Sequence, residues 1–229
     1  MALPQYDKLG FREIKAYLDG AVLVITIDRA KSRNTFIGTL GEELVRAFEL
    51  GDRDDRVRVI ILTAEPNAPA YCSGAELSGG WSGLFTEEEQ KEGSRFRCLQ
   101  AHRDSGGKLA LAIYRCRKIT IAAVIGHAAG VGMTALQLPF DLRFAWAGAK
   151  LTFPFVRRGI AAEATSTYLL PRLLGQSRAS SLLITGSPYS PNSPQIQSLY
   201  HEIVPSREEV FPKALALAKE LAANTSQMS

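Results

Sequence analysis

No apolar run in this 229-residue chain reaches the ~18 residues that a membrane-spanning helix needs. The N-terminal stretch MALPQYDKLGFREIKAYLDG lacks the charged-then-apolar order of a secretory signal. Cysteine is scarce: Cys72, Cys98 and Cys116 are too few and too scattered for a disulfide framework or a zinc site. Together these absences point to a reducing, intracellular setting. The histidines His102, His127 and His201 show neither HxH nor HxxxH spacing, so no metal is expected. The net charge is +4, yet there is no long Lys/Arg block and no aromatic-interleaved basic stripe of the kind that grips nucleic acid. A phosphate-bearing small molecule would account for a few local cations equally well. Low-complexity segments and long linkers are missing too, so nothing splits the chain into independent pieces.

What is present is alternation. AVLVITIDR (21–29), VRVIILTA (57–64), KITIAAVIG (118–126) and DLRFAWAG (141–148) read as buried strands. TLGEELVRAFEL (39–50) reads as a helix, with Leu40, Leu44, Val45 and Phe48 on one face and Glu42, Glu43, Arg46 and Glu49 toward water. Helical stretches are expected within 86–118, broken at DSGGK. ATSTYLLPRLLG (164–175) reads as a helix despite Pro171, stopped by Gly175. The closing helix, 207–224, sets Val210, Ala214, Leu217 and Leu221 on one side. Strands separated by helices imply crossovers, hence an α/β fold with parallel strands.

Twice a buried strand runs into a turn of small residues and then toward a helix, in YCSGAEL and in HAAGVGMTAL. Each turn can present a bare backbone N–H, and two such donors aimed at one point make an anion or oxyanion site. A dinucleotide fingerprint is excluded, because Ala135 stands where the third glycine belongs and the motif comes late. A hydrolytic set of Cys72 or Ser73, His127 and Asp141 has no local motif behind it. Cys72 reads better as a packed residue, Asp141 as a strand-initiating or ion-paired acid, and His127 as lining a cavity. One acid stands out: Glu163, in VRRGIAAEATS, sits among alanines and small hydroxyl residues. Either it opens a helix from its first turn and faces solvent, or dry surroundings keep it basic.

The ordered set VLVITIDRAKSRNTF, VRVIILTA…AYCSGAEL, ITIAAVIGHAAGVGMTALQLPFDLRFAWAGAKLTFPFVRRGI, LPRLLGQSRASSLLITG and HEIVP resembles the crotonase, or enoyl-CoA hydratase/isomerase, superfamily over nearly the whole chain. The resemblance implies a superhelix of ββα repeats over 1–180 and a partial, shortened helical region over 181–229. It implies a homotrimer or hexamer, an acyl-CoA substrate and no separate cofactor. The oxyanion donors would be the backbone N–H groups of Ala75 and Val131, with Ser73, Gly74, Glu76, Gly130 and Phe155 around the substrate. Arg29, Lys31 and Arg33 of RAKSRN would lie near the CoA phosphates or adenine, with Arg157 and Arg158 undecided.

Hydratases of the family use two glutamates, and the matching positions here are Thr134 and Phe155. Peroxisomal Δ3,Δ2-enoyl-CoA isomerases use one, a few residues after an F-x-P-F stretch, where Glu163 falls. The resemblance therefore implies a 3-enoyl to trans-2-enoyl-CoA isomerase of β-oxidation with Glu163 as the base. A peroxisomal setting is expected, although the terminal Gln-Met-Ser is not the corresponding address. The alternatives are a hydratase or other crotonase-type enzyme, or a non-catalytic acyl-CoA- or RNA-binding relative.

Overall fold

The apolar, β-branched runs form the strands expected of them. The computed structural model describes residues 3–76 and 104–225. Its larger sheet has six strands in the order β1-β2-β3-β5-β7-β10. These are β1 (Ile14–Asp19), β2 (Val22–Ile27), β3 (Val59–Ala64), β5 (Ile119–Val124), β7 (Leu142–Trp146) and β10 (Glu202–Val204). The first two form an antiparallel hairpin, and every later neighbour is parallel. All six residues of β3 are buried, as befits a central parallel strand covered on both faces.

A second sheet, order β4-β6-β8-β9, is built from very short strands: β4 (Ala70–Cys72), β6 (His127–Ala129), β8 (Leu151–Thr152) and β9 (Pro188–Tyr189). Sequence reading treats β4 and β6 as turns. Three residues are too few for an alternating pattern to declare itself, and only pairing across the chain makes them strands. Each repeat places its first strand in the large sheet and its second in the small one, then enters a helix. Thus β3 and β4 precede α2 (Ser105–Tyr114), β5 and β6 precede α3 (Val131–Thr134), and β7 and β8 precede α4 (Ser166–Leu174). The pattern begins even earlier: after β2, Phe36 makes a parallel bridge to Ala75 before α1 (Gly38–Arg53). This is the α/β, ββα architecture that the resemblance implies.

Four helix expectations need adjustment. DSGGK does not break a helix but begins one, because the Asp104 carboxylate accepts the Gly107 N–H at 2.7 Å and caps α2. The expected helical stretches over 86–103 lie outside the described residues. α4 starts at Ser166 rather than 164, because Ala164 (φ 50) and Thr165 (φ 61) both adopt left-handed backbone. Directly after it comes α5 (Gln176–Thr185), which sequence reading does not separate. In α6 (Arg207–Thr225) the innermost stripe is Val210, Ala214, Ala218 and Ala222, with Leu217 and Leu221 only partly buried. Small side chains let α6 lie close against β3, β5 and β7. Among the described residues no helix is long and apolar enough to cross a membrane.

Candidate active site

Two turns come together because one glycine lets them. α3 opens where the turn after β6 passes the end of β4. A Cβ on Gly132 would stand 2.4 Å from the Cys72 carbonyl oxygen and 2.9 Å from the Cys72 Cβ. No side chain fits there, so glycine permits the contact between the two turns.

Hydrogen bonding at each turn leaves over an amide that belongs to a residue lining the cavity. Around the first, Ser73 N–H donates to Arg33 O (3.2 Å), Phe36 N–H to Gly74 O (2.8 Å) and Glu76 N–H to Phe36 O (2.9 Å). At the second, Gly130 N–H donates to Thr152 O (3.1 Å), and the amides of Met133 and Thr134 donate to Gly130 O. The N–H groups of Ala75 and Val131 have no partner among the described residues. A buried backbone donor without a partner is uncommon and costly, so a pair of them lining one cavity is an acceptor site in waiting.

That cavity holds about 320 Å³. Ser73, Gly74 and Ala75 form one side, Gly130 and Val131 another, and Phe36, Phe155 and Ile160 give apolar wall. Asp104 and Gly106 bring the start of α2 to its edge, Arg158 reaches it from the 3-10 turn Val156–Arg158, and Glu163 closes it.

Glu163 is the group with the most chemistry. It does not open α4, since its backbone carbonyl accepts the Ser166 N–H at 3.0 Å and its side chain turns into the cavity. Its Oε1 accepts the hydroxyl of fully buried Thr134 at 2.5 Å. Burial pushes the carboxyl up to about 7, the Thr134 hydrogen bond opposes this, and the charge of Asp104 adds to it. A carboxyl balanced near neutrality can both take and return a proton. Of the apolar residues just before it, only Ile160 lines the cavity. Ala161 is exposed and Ala162 packs against the core. The walls next to the carboxylate come from α2 and α3 instead, for a Cβ on Gly106 would lie 2.7 Å from Glu163 Oε2 and 3.4 Å from Val131 Cγ2.

Two consecutive left-handed residues follow Glu163, and neither is glycine. Such backbone costs roughly 1 kcal/mol per residue and persists only where its surroundings hold it. Ala164→Gly is therefore expected to keep or raise the melting temperature while lowering any activity that depends on Glu163. Thermal melts run beside kinetics check this.

Other sequence candidates lie elsewhere. Arg29 is ion-paired with Glu13 and donates to Thr35 O at 3.2 Å, whereas Lys31 and Arg33 are exposed; none of the three lines the cavity. Glu76 accepts the Thr35 hydroxyl at 3.1 Å, just beyond the lining. Arg157 is tied to Thr185 O and the Ser187 hydroxyl. The hydrolytic set is not assembled: Asp141 holds Thr120 through its N–H and hydroxyl, and His127 Nδ1 accepts the Lys150 N–H. Burial pushes the Cys72 thiol up to about 12, which keeps it from acting as a thiolate. Sequence reasoning missed Phe36, Asp104 and Gly106. Asp-Ser ahead of a helix is a capping signal that would have flagged Asp104, had the two glycines not suggested a break.

A family model described as "Enoyl-CoA hydratase/isomerase" matches residues 18–229. "Enoyl-CoA hydratase AFT3-1" of Alternaria alternata is 41% identical over 207 residues, covering 90% of this chain and 65% of that protein. The chain therefore spans just under two thirds of that relative's length. "Mevalonyl-coenzyme A hydratase SIDH" of Beauveria bassiana is 30% identical, covering 89% of this chain and 71% of the relative. Among solved structures, a probable enoyl-CoA hydratase/isomerase from Mycobacterium abscessus superposes with a TM-score of 0.75 at 32% identity, covering 92% of this chain and 73% of the other.

Proposed function

Since the chain belongs to the enoyl-CoA hydratase/isomerase family, within the crotonase superfamily, we propose that it moves the double bond of a 3-enoyl-CoA to the 2-position, with Glu163 as the proton carrier. The observation that carries this reading is a single near-neutral carboxyl in a cavity that also holds two unpartnered amides.

In this reaction the Glu163 carboxylate takes a proton from C2 of the thioester. The electron pair of that C–H bond forms an enolate, whose oxygen accepts the N–H groups of Ala75 and Val131. The enolate then collapses: C1=O re-forms, C2=C3 forms, and the former C3=C4 pair takes the proton from Glu163 at C4. The carboxylate is restored and nothing else is consumed. Phe36, Phe155 and Ile160 suit an acyl chain, while exposed Lys31 and Arg33 beside the first turn suit the phosphates of CoA.

Assay with 3-hexenoyl-CoA tests the proposal. Absorbance of the conjugated enoyl thioester should appear, and kcat/KM should rise with pH through about 7 as Glu163 ionises, because only the charged form removes the C2 proton. Absence of that absorbance in folded protein would overturn the reading.

One finding favours a second reading. The Alternaria alternata and Beauveria bassiana relatives carry hydratase names. Crotonyl-CoA distinguishes the two, since water addition removes conjugated absorbance. Against hydration stand Thr134 and Phe155, where the two hydratase glutamates would be.

A further inference from the structure

A second carboxylate meets Glu163 at the edge of the cavity. The point where a Cβ of Gly106 would sit is 2.7 Å from Glu163 Oε2 and 3.2 Å from Asp104 Oδ1. The two acidic oxygens can be no farther apart than those two distances laid end to end. Asp104 is not free to swing away, because it caps α2 by accepting the Gly107 N–H at 2.7 Å. Gly106, held under that cap, provides the space that Glu163 Oε2 occupies. One side chain thus fixes both the floor beneath Glu163 and a negative charge beside it.

We infer that Asp104 is a positioning residue for Glu163: it anchors the first turn of α2 beneath the carboxylate and holds a negative charge beside it. The inference rests on Glu163 being the proton carrier of the proposed isomerisation, but it makes a claim about Glu163 that can be read without turnover.

The other groups facing Glu163 do not duplicate this role. α3 contributes the uncharged Thr134 hydroxyl. β4 contributes the Cys72 thiol, which burial keeps neutral. Arg158 lines the same cavity from the 3-10 turn and, unlike Asp104, exerts no charge effect on Glu163. Lys108, further along α2, lines the clefts against α1 instead.

Asn and Ser at 104 separate the charge from the cap, since either side chain can still accept the Gly107 N–H. Asp104 is exposed, so water weakens its charge; for Asp104→Asn and Asp104→Ser, the acid limb of the 3-hexenoyl-CoA pH–rate profile should move down by about half a pH unit. The plateau kcat should fall about 2-fold, as the base becomes weaker. The Glu163 carboxyl carbon, followed by NMR in ligand-free, 13C-glutamate-labelled protein and assigned by its loss in Glu163→Gln, should titrate lower by the same amount. A merely structural cap would leave both readings unmoved in the two variants, and that result overturns the inference. If wild type fails to isomerise, the proposed function falls, while the NMR titration still decides whether Asp104 governs Glu163.

Discussion

Glu163→Gln is expected to reduce 3-hexenoyl-CoA isomerisation by at least about 10³-fold, since glutamine can neither take the C2 proton nor return it at C4. Gln fills the same volume and can still meet the Thr134 hydroxyl, so the loss should be chemical rather than structural. Stability provides the control. The ordinary carboxyl value is 4.5, and the folded protein raises it to about 7. The fold therefore binds this proton more tightly than the unfolded chain does, and its stability falls as pH rises through that window. Above pH 7 the buried charge costs about 2 kcal/mol, allowing for water at the cavity mouth. Replacing the acid by an amide removes that cost. Glu163→Gln should therefore melt higher than wild type at pH 8 and no higher at pH 4. An active Gln variant would sink the assignment of the base.

Gly132→Ala should have the second largest effect. Its new Cβ would stand 2.4 Å from the Cys72 carbonyl oxygen, a backbone atom that no rotamer change can move aside. The turns must part, at a cost of about 3 kcal/mol, which for a chain of this size lowers the melting temperature by roughly 6–12 °C. Parting them also separates the Ala75 and Val131 amides, and misplacing one such donor lowers kcat by about 10²- to 10³-fold. Thermal melts and initial rates measured on the same preparation test both halves. A variant with wild-type melting and wild-type kcat would show that the two turns need not touch.

These two residues also mark the limits of what the sequence reveals. The long buried strands are legible because runs such as Val59–Ala64 are apolar throughout, whatever surrounds them. The turns YCSGAEL and HAAGVGMTAL are legible as small-residue turns after strands, and the donors assigned within them do line one cavity. β4, β6 and β8 are not legible, because two or three residues become strands only by pairing with distant chain. Asp104 escaped because its chemistry depends on a capped helix that its glycines disguise. Glu163 was visible as an anomaly, but its inward orientation was not. That depends on the left-handed pair Ala164 and Thr165 and on space left by Gly106, in a different part of the chain. The isoleucine and alanines before it suggested a dry wall; Ile160 does line the cavity, while the rest of the wall comes from elsewhere.

The cavity takes its lining from stretches spread between Phe36 and Glu163, delivered by successive repeats of the chain. Large-sheet neighbours such as β2 and β3 or β3 and β5 are separated by long excursions of chain, so their pairing closes large loops and forms late. The site is complete only when β4, β6 and β8 are all paired, since that pairing sets its two donor turns side by side. During refolding from denaturant, recovered catalysis should therefore appear with the slowest phase of the chain, making turnover a clock for the completion of folding.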